Sequence, residues 1–259
     1  MCKFCNISAE LDSDYLKKLP PLFRRVMQSL YDNKLQPGEI SPELFALLAQ
    51  ELLKGIEVGS GELNSPVLET IMKENVYVFS GFKTYQQLRE CTLLLNDDEG
   101  LRKPFTKFYQ DVKAVNETYN VNYLRAEYNN AVASSQMAAN WQDIQSRKDV
   151  APFLRYKTAE DERVRPAHAA MDNIVRRVDD PFWGWYYPPN GWSCRCHVVQ
   201  EIDAEVTVDF LAPEIPVMFR NNVGESGIIF PDTHPYFNVQ QAERVNILSQ
   251  INKLKPNNQ

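Results

Sequence analysis

Between Asn122 and Arg147, seven side chains recur every three or four residues: Leu124, Tyr128, Ala131, Ser135, Ala138, Trp141 and Ile144. That period puts them on one stripe of an α-helix, whereas a strand would alternate them between two faces. At 1.5 Å per residue a continuous helix here is about 40 Å long. The chain must therefore fold around a long rod. Ala131, Ala133, Ala138 and Ala139 lie among the stripe residues and allow close packing, so the stripe reads as a core face, with an assembly interface as the alternative.

Shorter helices are expected before the rod. Ser13 to about Asn33 carries apolar residues at helical spacing around Pro20 and Pro21. Ser41-Pro42-Glu43 and Ser65-Pro66 each supply a hydroxyl cap followed by proline in the first turn. The first of these helices should stop at Gly55, leaving Gly55 to Gly61 (GIEVGSG) as a flexible loop. Val76 to Phe79 (VYVF) reads as a short strand. Helix resumes from Lys83, Asn96 to Gly100 forms a turn, and Pro104 to Tyr119 is helical again.

Several classes of protein are excluded early. With a net charge of −6 and a pI near 5.3, the chain lacks the lysine and arginine excess needed to coat nucleic acid. No stretch reaches the roughly 18 consecutive apolar residues of a membrane span. The N-terminus has no apolar segment of a signal peptide. Five cysteines, Cys2, Cys5, Cys91, Cys194 and Cys196, are an odd number and read as reduced thiols of an intracellular protein. At 259 residues the chain can bury a core without disulfide or metal staples.

The composition shifts near Val150. Between there and Gln200 lie 6 of 14 arginines, 2 of 3 histidines and 3 of 4 tryptophans. In YKTAEDERVRPAHAAMD, Thr158 and Asp161 have the spacing of a capping box. A helix from Ala159 would put Asp161, Arg165, His168 and Asp172 on one face. Pro166 instead favours a new helix starting at that residue, which keeps only His168 and Asp172 together. Asp161, Arg163, Arg165, His168 and Cys194 are the catalytic candidates, since acid–base work needs an acid, a base and a cation in one place. The same residues equally suit a buried hydrogen-bond network. The aromatic run from Phe182 to Trp192 suits core packing, a partner surface or a ligand stack. In Ser193-Cys194-Arg195-Cys196-His197, a strand puts both thiols on one face. His168, Cys194, Cys196 and His197 are then the candidates for a zinc site, although no second cysteine pair stands at matching spacing. No cofactor is otherwise expected.

These residues carry a family likeness. Tyr156 and Thr158, then Asp161, Arg163, Arg165 and His168, then Asp172, then Pro188 and Pro189, then Cys194, Arg195 and Cys196 resemble the core of phage Mu F-like head-morphogenesis proteins, also called minor head or minor capsid proteins. The match covers roughly Arg155 to Val198. Two positions depart from the family pattern: Asn173 stands where glycine is usual after the aspartate, and Ser193 where asparagine is usual before the first cysteine. Glycine and asparagine share turn positions, so both departures are mild. The N-terminal helices and the NVGESGIIFPDTHPYF segment also resemble longer prophage members of the family.

The resemblance implies a low-copy component of the phage or prophage virion, near the portal vertex, acting in head morphogenesis and in DNA packaging or delivery. It implies the portal protein as partner, with capsid or scaffold proteins as further ones, contact with DNA only indirectly, no membrane, and assembly in the bacterial host cytoplasm. It brings no settled catalytic mechanism, so an enzyme is the less favoured reading. The alternatives are a nucleic-acid-processing or transferase enzyme using the Asp161/Arg165/His168 and Cys194/Cys196 cluster, or a zinc-stapled binding module.

The expected fold class is α+β. Residues 1–150 form a helical region that offers docking surfaces. Residues 151–238 form a small mixed domain, with EVTVDF, PVMF and GIIF as short strands or extended packing segments. Residues 239–259 form an amphipathic helix and a polar tail, with Ala242, Val245, Leu248, Ile251 and Leu254 at helical spacing.

Overall fold

The computed structural model describes residues 10–61 and 63–256. Cys2, Cys5 and the end of the PNNQ tail lie outside the described residues. The fold is α+β: nine α-helices and three strands among the described residues, in the order α1 (Ser13–Tyr31), α2 (Pro42–Gly59), α3 (Pro66–Leu93), α4 (Phe105–Glu117), α5 (Leu124–Arg147), β1 (Phe153–Lys157), α6 (Pro166–Ala169), β2 (Val175–Arg177), α7 (Phe182–Tyr186), β3 (His197–Glu201), α8 (Val223–Ser226) and α9 (Gln241–Leu254).

The long rod is present. Leu124, Tyr128, Ala131, Ser135, Ala138, Trp141 and Ile144 are all buried, as the periodicity requires. It does not begin afresh at Asn122, because α4 runs through a π-helical turn, Thr118–Tyr123, directly into α5. The serine caps also form. Ser41 Oγ accepts from Leu44 N at 3.4 Å, and Ser65 Oγ from Leu68 N at 3.3 Å.

Three local expectations are corrected. VYVF is not a strand: it lies inside α3, where Met72, Val76 and Phe79 (spacings of four and three) are fully buried on a helical face. Gly55 does not stop α2, which continues to Gly59. Of the three apolar runs near the end, none is a strand. Residues 205–210 are irregular, Val217–Phe219 is a 3₁₀ turn, and 227–230 is an irregular segment after α8 that buries Ile229 and Phe230. In α9 the buried positions are Ile247 and Ile251, while Val245 is exposed.

The described chain divides into two compact units whose pieces interleave along the sequence. Unit 2 takes residues 10–53, 76–128 and 234–256. It is helical, with Tyr15, Phe23, Phe45, Phe79, Phe82 and Phe108 buried. Gly81 in α3 meets the Ile251 side chain of α9, and Phe82 packs edge-on against Phe237 with ring centroids 4.8 Å apart.

Unit 1 takes residues 54–75 and 129–233. Its sheet is small and antiparallel, in the order β2-β1-β3. Burial alternates along β1: Leu154 and Tyr156 face the core, while Phe153, Arg155 and Lys157 lie on the other side. Across that second face Arg155 and Glu201 form a two-pronged ion pair, with bonds of 2.7 and 2.9 Å. The core gathers Met137, Trp141 and Ile144 of α5 with Leu154, Tyr156, Trp183, Tyr187, Cys194, Cys196 and Val198.

Candidate functional site

Every motif residue falls in unit 1: Tyr156 on β1, His168 on the short helix α6, and the others on the loops that join β1, α6, β2, α7 and β3. Thr158 leaves β1 and caps no helix. Its backbone N and its Oγ1 both donate to Asp172 Oδ1, at 2.8 and 3.0 Å. Asp172 is thus the brace between β1 and the turn after α6. Asp161 opens a turn of its own, its Oδ1 accepting from Arg163 N at 3.1 Å. Helix begins only at Pro166, with Arg165 extended before it. The single face expected from Asp161 to Asp172 therefore does not form. α6 is one turn long and ends at Ala169, so His168 and Asp172 acquire different partners.

The two halves of the motif meet across Arg195. Its guanidinium grips Asp161 with Nη1–Oδ2 at 2.5 Å and Nη2–Oδ1 at 2.6 Å, a planar fork-to-fork pair. That pair holds the Asp161 carboxyl well below the usual carboxylate range. Arg165 reaches the same loop by donating to the Trp192 carbonyl at 2.7 Å. Arg163 stays at the surface, 3.6 Å from Asp161.

Cys194 and Cys196 lie in the irregular segment before β3, with Arg195 between them held by Asp161. Both thiols are buried beside His168. Its Nδ1 lies 3.7 Å from Cys194 Sγ and 3.5 Å from Cys196 Sγ, and its Nε2 lies 3.3 Å from the Asn190 carbonyl. The two thiols also interact with each other, which favours the anion at Cys194 and disfavours it at Cys196. The Tyr156 hydroxyl donates to Asn190 Oδ1 at 3.1 Å. His197 lies opposite Lys157 in the β1–β3 register, in sequence alternation with the two thiols, and burial holds its imidazole below the usual histidine value.

The aromatic run divides by position. Trp183 and Tyr187 are fully buried, and Trp183 Nε1 donates to the Arg177 carbonyl at 2.8 Å. Trp185 is exposed, with the Arg220 guanidinium 5.8 Å from its ring. Pro188 and Pro189, joined by a cis bond, lead into the buried Asn190-Gly191 corner. A Cβ on Gly191 would sit in ordinary van der Waals contact, 3.4 Å from Arg165 Nη1 and 3.5 Å from the His168 ring.

Both departures from the family pattern fall where the backbone is left-handed. Asn173 has φ 64° and Ser193 φ 54°. A position that glycine usually fills is thus held here by asparagine, the residue that best tolerates this geometry after glycine. Asn190 is the member of the site that residue-type reasoning missed. Nothing but its place beside the prolines singled it out, yet it contacts both Tyr156 and His168.

The cavity bordered by His168, Cys194, Cys196, Arg165, Ser193 and Arg195 has a volume of about 20 Å³. That admits about one water-sized sphere and no organic substrate.

Residues 102–199 match the family described as "Phage Mu protein F like protein". The match therefore begins upstream of the motif and takes in all of α4 and α5. One relative, "Putative capsid assembly protein F" of Escherichia phage Mu, is 39% identical over 71 residues, 27% of this chain and 16% of the relative. Another, "Mu-like prophage FluMu F protein" of Haemophilus influenzae, is 41% identical over 61 residues, 24% of this chain and 15% of the relative. The matched segment thus spans about one sixth of either relative. No solved structure matches the chain.

Proposed function

We propose a function from one premise: through residues 102–199 this chain belongs to the phage Mu F-like family. It is a structural component of a phage or prophage head, acting in head assembly. More finely, it is a low-copy minor head protein that docks on the portal vertex and serves DNA packaging or delivery, in the virion and, during assembly, in the bacterial cytoplasm.

What carries this reading beyond the likeness is how the motif spends its polar groups. Asp161 and Arg195 clamp each other, Asp172 braces Thr158, and Arg165 ties down the Trp192 carbonyl. Each pair joins segments far apart in sequence. This is the pattern of a part built to hold a shape. A catalyst would keep such groups beside a cleft, and the cavity here is about 20 Å³.

The test is co-expression with the portal protein encoded by the same phage, followed by size-exclusion chromatography and native mass measurement. A complex of fixed stoichiometry is expected. A chain that stays monomeric beside a correctly assembled portal would sink the portal-docking reading.

A further inference from the structure

We propose that His168, Cys194 and Cys196 bind one zinc ion, with a fourth coordination position open to water through the small cavity beside them. The proposal does not rest on the assembly reading.

Among the described residues this is the group whose ligand atoms converge: the imidazole nitrogen and both sulfurs lie within 4.8 Å of one another. A tetrahedral zinc with Zn–S near 2.3 Å and Zn–N near 2.0–2.1 Å sets nitrogen and sulfur about 3.5 Å apart. The observed Nδ1–Sγ separations are 3.5 and 3.7 Å. The ligands therefore already stand close to their coordinated spacing.

The surroundings prepare the same atoms. The Asn190 carbonyl faces His168 Nε2, which places the ring proton there and leaves the Nδ1 lone pair aimed at the thiols. The Tyr156 hydroxyl donates to Asn190 Oδ1 at 3.1 Å, which holds in place the residue whose carbonyl orients His168. Both cysteines would bind the metal as thiolates. Soft sulfur with imidazole selects zinc over magnesium or calcium.

The ligands come from α6 and from the loop entering β3. A metal would cross-link them at the core's edge. Three protein ligands leave one position free, and the same three residues border, with Arg165 and Ser193, the cavity of about 20 Å³. That volume is enough for a single water.

The test uses the full chain without a polyhistidine tag, purified under reducing conditions from zinc-supplemented cells. About one zinc per chain is expected. After chelation and addition of cobalt(II), the protein should show the visible bands of a tetrahedral site and a thiolate-to-cobalt band in the near ultraviolet. Cys196→Ser should lower that band by about half, and Cys91→Ser, at a buried thiol in unit 2, should leave it unchanged. The proposal is overturned by a zinc content below about a tenth of an equivalent that reconstitution does not raise. A cobalt spectrum of the wild-type chain without a thiolate band overturns it equally, whether or not the variants fold.

Discussion

Lys83 and Glu127 are an ion pair sealed inside unit 2, with side chains 0% and 3% exposed. Burial pushes the lysine down and the carboxyl up, against their mutual attraction. Such pairs repay desolvation poorly, yet breaking one leaves a lone buried charge. Lys83→Met alone should cost about 3–5 kcal/mol in urea denaturation. Lys83→Met with Glu127→Leu should cost less than either single change. A double variant as damaged as the sum of both would refute the pairing. Neither residue stands out in the sequence, because a lysine and a glutamate 44 positions apart carry no sign of meeting.

His234 gives a pH dependence with a definite sign. Its ring packs edge-on against Phe79 with centroids 5.0 Å apart, and its Nδ1 accepts from Tyr236 N at 3.2 Å. Burial, aided by the nearby Lys83 charge, lowers its pKa to about 4 from an ordinary 6.5. Between those values the unfolded chain takes up a proton that the folded chain refuses. Stability should therefore fall as pH drops from 6.5 toward 4, by up to about 3 kcal/mol. Melting curves across that window should show the fall, and His234→Asn should flatten its share. An unchanged slope in the variant would reject the assignment. The polar motif from Tyr156 to Cys196 was legible at this scale because chemistry-bearing residue types cluster there. The Thr158–Asp161 capping box misled, since its spacing also fits a turn whose threonine answers to Asp172.

At the scale of elements, periodicity found what was long and missed what was short. The α5 stripe runs over six turns, enough to fix its type and its buried face. VYVF is four residues whose pattern suits either structure, and only their place within the 28 residues of α3 decides. GIEVGSG misled for another reason. Gly59 is there for closeness: a Cβ on it would lie 2.4 Å from the Val132 carbonyl oxygen and 2.7 Å from Ser135 Cβ on α5. Backbone oxygen cannot swing aside, so Gly59→Ala should cost about 1–3 kcal/mol. Alanine's better helix propensity, about 1 kcal/mol at most and less at a helix end, does not offset it. Gly61→Ala, with nothing within 4 Å of the added methyl, should be near neutral in the same melts. Equal effects at both sites would show that α2 does not need the close approach.

At the scale of the whole molecule, composition located a change near Val150, but each unit is assembled from separated segments. Hydrophobic periodicity says which face of a helix is buried and never which distant segment buries it, so this interleaving was not legible. Its consequence can be tested by division. A cut after Val150 removes Met137, Trp141 and Ile144 from the unit 1 core. Trp141 packs edge-on against Tyr187 at 4.8 Å, and the Tyr187 hydroxyl donates to the Met137 carbonyl at 3.0 Å. The same cut takes Phe237 from Phe82 and Ile251 from Gly81 in unit 2. Each piece then keeps apolar surface whose covering lies on the other. Fragments 1–150 and 151–259, expressed singly, should show no cooperative thermal transition, whereas the intact chain melts cooperatively. Co-expressed, they should recover a transition and co-purify, since together they hold every segment of both cores. A sharp melt from 151–259 alone would mean that the motif-bearing half folds without α5, and that the upstream part of the family match contributes something other than core.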